Sequence, residues 1–194
     1  MDTLISVLKV IHILTAVLMA WPFYALVIVN QRVRLGPPLG DRADTYMENI
    51  LKNRVIPCYV FQATALVSGL ALVSLGGQGM HALFTNFALG VKFWLLLLTG
   101  ASLSYVHLSL QPRIDALFAT AGSPVSPETA SAIGALRLRR KRMASVCLFV
   151  VLTSAMLGLQ VWVPFQAWLS VLLTVAIAAF TWRAYMSTTP YGWL

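Results

Sequence analysis

Three imidazoles, two thiols and two isolated amines carry the chemistry available to this sequence: His12, His81 and His107, Cys58 and Cys147, Lys9 and Lys92. An imidazole can ligate a metal or move a proton near neutral pH. Lys9, His12 and Lys92 stand inside long apolar runs, where an ionisable group costs about 3 kcal/mol to insert and reads as a functional candidate by default. His12 lies about 12 Å below the start of the first run at 1.5 Å per residue, too deep for its ring to reach the surface easily. Lys9, about two turns in, can extend its stem to the surface. Lys92, about one turn into the third run, falls on the same side as His12. His107 follows it by fifteen residues, about 22 Å further along a straight helix. One metal centre therefore cannot take both His12 and His107. His81, beside Met80, reaches His12 only if its loop folds back, and these three residues make a sparse set for copper, with no Met-x-x-Met or His-x-His run. Cys58 and Cys147 read as small packing residues.

The elements that must position these groups are membrane spans. Five apolar runs, at 4–29, 56–75, 87–110, 143–163 and 165–186, each approach the 20 or so residues that about 30 Å of hydrocarbon requires. The chain is 59% hydrophobic and 10% charged, with a mean hydropathy of +0.79, a composition that would expose very large apolar patches in a soluble domain of this length. The sequence therefore predicts an all-α, polytopic transmembrane bundle of five spans forming a single integral domain over 1–194.

Charge sets the orientation. Twelve of the fourteen Lys and Arg residues fall in the segments 31–55 and 111–142 or at Arg183, which share one face if there are five crossings. The opposite face, at 1–3, 76–86 and the turn at Pro164, has none. The positive-inside rule then puts the N-terminus outside, the C-terminus in the cytoplasm, and 31–55 and 111–142 in cytoplasmic loops. The isoelectric point near 10 arises from these loops, so nucleic acid is not an expected partner. The first run has no basic leader and no A-x-A-like cleavage site, and reads as a retained helix.

Local signals refine the spans. Pro22 is expected to kink helix one, and Gly36, Pro37 and Pro38 to turn the chain. The stretch 41–54 reads as a short helix on the membrane surface with Tyr46, Met47, Ile50 and Leu51 on one face. Pro57 suits the first turn of helix two, whose Ala63, Ser68, Gly69 and Ala71 permit close helix contact. Gly100, Ala101 and Ser102 form a similar notch in helix three, which reads cleanly to Pro112. Pro127, Glu128 and Thr129 begin a short helix whose basic end runs into helix four. Trp162 and Trp168 fit the outer interface, and Trp182, Tyr185, Tyr191 and Trp193 the inner one.

The run Leu8-Lys9-Val10-Ile11-His12-Ile13, followed by an aromatic-Pro patch and a basic exit, resembles the first helix of the HemJ-type protoporphyrinogen oxidases and the related CopD-type copper-resistance proteins. The likeness continues through Tyr46-Met47-Glu48, Pro57, Gly69-Leu70-Ala71-Leu72 and Gly90-Val91-Lys92, covering about three helices through short, apolar motifs. In the HemJ-type family the helix-one histidine and helix-three lysine are the functional pair, and haem b is held by an axial histidine. The resemblance thus implies His12 as a metal ligand and Lys92 as a cation for a porphyrin propionate. It departs from the family where Arg140-Lys141-Arg142-Met143-Ala144 stands in place of an Asn-Glu-x-Pro motif, where Trp21-Pro22-Phe23-Tyr24 replaces Tyr-x-Pro-Arg, and in its fifth span. A haem site is therefore implied more strongly than the family's oxidase reaction.

Two functional readings follow. The first is a small inner-membrane redox protein binding haem b near the outer leaflet. The second is a non-catalytic accessory or scaffold subunit of a larger respiratory or photosynthetic membrane complex, favoured by the many small residues and the few acids in the spans. Either way the expected partners are membrane lipid and other membrane subunits or further copies of the chain.

Overall fold

The computed structural model describes residues 2–30, 39–122, 124–161, 163 and 166–186, without the side chains of 22–28 and 30. Its elements, in chain order, are α1 (Asp2–Asn30), α2 (Arg42–Lys52), α3 (Val55–Leu75), the single turn α4 (Ala82–Thr85), α5 (Phe87–Tyr105), a π-helical turn (Val106–Leu110), α6 (Gln111–Thr120), α7 (Pro127–Gln160) and α8 (Ala167–Met186). Among the described residues there is no strand. Five of the helical stretches are long and apolar enough to cross a membrane. The exposed side chains agree with that: Val7, Val10, Ile13, Leu14 and Val17 on α1, and Val171, Leu172, Val175 and Phe180 on α8, face outward, a surface that only hydrocarbon solvates without penalty.

α7 is the central element. Leu148, Val150, Val151, Met156 and Leu157 are buried along it, and it packs against α1, α5, α6 and α8, while α1 packs most extensively on α3. Ser126 caps its start by accepting from the Thr129 amide at 3.3 Å, ahead of Pro127 in the first turn. The short helix expected at Pro127 is thus continuous with the fourth span. At 34 residues and 1.5 Å each, α7 is about 51 Å long, so about 20 Å stands beyond a 30 Å hydrocarbon layer.

One expectation is corrected. Helix three does not stop at Pro112: the chain runs on through the π turn into α6. A proline ring clashes with the carbonyl four residues back, and the widened turn immediately before it relaxes that contact. Much of 111–142 is consequently ordered helix rather than loop. The short helix expected over 41–54 is α2 (Arg42–Lys52), whose face of Tyr46, Met47, Ile50 and Leu51 is not buried against the bundle. Tyr46 is exposed, whereas Asp44 and Glu48 are buried. These acids, one turn apart, meet arginines one turn apart on α7. Arg137 grips Asp44 through both terminal nitrogens, at 3.0 and 2.9 Å. Arg140 does the same with Glu48 and also donates to Gln111 Oε1 at 2.6 Å. Lys52 pairs with Asp115 at 2.6 Å. Other cations at this basic end lie over aromatic rings: Arg54 on Trp21 at 4.7 Å and Arg142 on Tyr185 at 5.2 Å, with Tyr185 stacked on Trp182. The turn at Gly36–Pro38, Trp162, Pro164, Tyr191 and Trp193 lie outside the described residues.

Candidate ligand-binding cavity

Four helices converge on His12. It comes from α1; α3 brings Ser68 and Gly69, α5 brings Lys92, and α7 brings Gly158. His12 Nδ1 is 2.9 Å from Ser68 Oγ, and Lys92 Nζ is 3.0 Å from His12 Nε2. The Ser68 hydroxyl donates its one proton to the Thr64 carbonyl at 2.6 Å, leaving its oxygen to accept from Nδ1–H, so that Nε2 is left to accept from Lys92. The chain therefore runs Lys92 to His12 to Ser68 to the Thr64 carbonyl, and the ring is the Nδ1–H tautomer. Ser68 is buried, as is Thr15 one turn from His12.

A side chain at either of two glycines would crowd this arrangement. A methyl at position 69 would stand 3.1 Å from His12 Cε1, and one at position 158 would stand 3.0 Å from Lys92 Nζ. Both are closer than ordinary van der Waals contact, so the ring and the amine lie directly on helix backbone.

Beside the pair is a cavity of about 480 Å³, within the range of roughly 300–1,000 Å³ usual for small-molecule sites. Its walls include Leu66, Leu70, Phe93 and Leu96, and its polar groups include Asp2, Lys9, His12 and Lys92. Lys9, read from the sequence as extending to the surface, lines this same cavity. His81 and Met80 do not line it. His107 lines a separate, smaller cavity of about 110 Å³ with Arg54, Gln111, Arg140, Cys58 and Cys147, and stands edge-on to Tyr59 with ring centroids 6.1 Å apart. Both cysteines are free thiols.

Sequence reasoning picked out His12 and Lys92 but missed Ser68 as the ring's anchor and the clearance role of Gly69 and Gly158. In the sequence Ser68 and Gly69 read only as residues for close helix contact. Their signal was the small-polar and small pair at the same depth as His12.

Haem b, implied by the sequence resemblance, is compatible with these residues. A ligating histidine commonly donates its second ring N–H to a fixed acceptor, and Ser68 supplies that acceptor while Nε2 is presented by the other edge of the ring. Its present partner is the end of a flexible side chain. Among the described residues no group of three or more His, Cys, Asp or Glu gathers anywhere. One imidazole beside an apolar cavity with cations suits an iron porphyrin, which brings most of its own donors, rather than a bare ion that needs three or four protein donors. No known protein family matches the chain, and comparison with curated proteins and with solved structures likewise gives no match.

Proposed function

We propose that the chain is a small redox protein of the cell inner membrane, its N-terminus outside and its C-terminus cytoplasmic, holding haem b in the cavity beneath the outer leaflet. The supporting observation is the Ser68-anchored imidazole of His12, which presents Nε2 beside an apolar cavity of about 480 Å³ lined by Lys9 and Lys92. Bound haem would supply one-electron exchange at its iron.

The protein's own residues do the rest. His12 would hold the iron through Nε2, and Ser68 accepts from Nδ1–H so that the ring keeps its tautomer and angle. Lys92 neutralises an acidic substituent, its four-carbon stem allowing the ammonium to swing. The apolar walls exclude water, which strengthens that pairing. Other membrane subunits, or a second copy of the chain, are the partners such a role calls for.

A visible absorption spectrum of the detergent-purified protein tests this reading. The expected result is a Soret band and a reduced alpha band that are lost in His12→Ala, reduced in Lys92→Met and retained in His107→Ala, whose ring lines the other cavity. Equal loss in the Lys92 and His107 variants would refute the site. A colourless protein that copurifies with other subunits at fixed stoichiometry would replace this reading with the scaffold role.

A further inference from the structure

His12 Nε2 is not idle. Its lone pair accepts from the Lys92 ammonium at 3.0 Å, and a donor nitrogen that accepts a hydrogen bond cannot at the same time bind a metal. Any ligand that uses Nε2 must first move Lys92. Moving it is unfavourable by itself, because the ammonium would leave the imidazole for a space walled by Leu96, Phe93 and the α7 backbone at Gly158, while Asp2, a carboxylate of the same cavity, stands ten residues before His12 on α1, about 15 Å away, and a charge left without a near partner is strongly disfavoured. An acidic group arriving with the ligand removes that penalty by giving the ammonium a charged partner in place of a neutral one.

We propose that Lys92 caps Nε2 of His12 and leaves it only for an acid, so that the cavity admits apolar ligands bearing a carboxylate and turns away their neutral counterparts. This rests on the ligand-binding role proposed above and adds to it a rule of admission. Lys92 thereby acts twice on one ligand, once as a competitor for the imidazole and once as the counter-ion for the acid. A simple counter-ion would act only in the second way, and the two roles separate when the acid is esterified.

The test uses the full-length protein in detergent, titrated with haem b and with its dimethyl ester, which has the same iron and ring but no carboxylate; the Soret shift reports binding. In the wild type the free acid is expected to bind at least about 30-fold more tightly than the diester. In Lys92→Met the diester is expected to gain about 10-fold over its wild-type affinity, because the cap is gone, while the free acid loses its counter-ion, and the preference falls below about 3-fold. Lys92→Gln, which keeps a neutral donor, is expected to lose the preference without the diester's gain. Lys92→Leu, which likewise removes the donor, serves as the second variant should the methionine variant not fold. A wild type that binds both forms equally overturns the cap and leaves the haem reading standing. So does a diester affinity unchanged in Lys92→Met, which marks Lys92 as a counter-ion only. If neither compound binds either protein, the haem reading itself fails and the cap falls with it.

Discussion

Removing the Glu48 carboxylate tests whether the basic end is held by its buried ion pairs. Glu48 is 4% exposed and Arg140 5% exposed, so Glu48→Ala leaves a guanidinium out of water with Gln111 as its remaining hydrogen-bond partner among those described above. Arg137 keeps its two bonds to Asp44. Breaking a buried pair by deleting one partner destabilises by about 3–5 kcal/mol. In a chain of this size each kcal/mol moves the melting temperature by about 2–4 °C, so the expected drop is about 6–20 °C. Far-ultraviolet circular dichroism of the detergent-solubilised protein measures it. Lys52→Ala is the comparison: its partner Asp115 is at 2.6 Å, but the two side chains are 36% and 43% exposed, and such a pair contributes about 1 kcal/mol or less. The double variant Glu48→Met/Arg140→Met removes both charges and should recover most of the loss, since burying neither charge avoids the desolvation cost. A Glu48→Ala melt within about 3 °C of wild type, or a double variant less stable than the single one, would refute the reasoning.

The site and the topology give further tests. Gly158→Ala places a methyl 3.0 Å from Lys92 Nζ; the amine should swing aside, leaving stability within about 1 kcal/mol but shifting the histidine nitrogen resonances of His12. Gly69→Ala meets instead the His12 ring, which is held at both nitrogens. With overpacking of about 1–3 kcal/mol partly offset by improved helix propensity, it should melt a few degrees lower. Equal behaviour of the two variants would contradict the contacts. For orientation, a fluorescent protein fused at the C-terminus should glow and alkaline phosphatase inserted in 76–86 should be active; the reverse pattern would invert the assignment.

What the sequence made legible follows from what one-dimensional distance can encode. Spans of about 20 apolar residues announce themselves because nothing else solvates them, and depth along a helix is arithmetic, so His12 and Lys92 could be placed at one level and His107 at another. Azimuth is not arithmetic. That His12 faces Ser68 and Lys92, and that Gly158 comes to the same point from α7, depends on how four helices rotate against one another. At the basic end, an orientation rule that counts only Lys and Arg passed over their partners. The matching signal was present: Asp44 and Glu48 four apart on one helix, Arg137 and Arg140 three apart on another, both spacings that repeat on one helical face. The π turn before Pro112 had no such signature, because a proline reads equally as a stop or as the first turn of a continuing helix.

The length of α7 ties the two ends of the molecule to each other. Gly158 lies against the Lys92 amine and Arg140, eighteen residues away, is clamped to α2 through Glu48, a separation of about 27 Å along one hydrogen-bonded rod. The clamp on α2 and the imidazole–amine pair therefore share a single support, one toward each end of its membrane-crossing length.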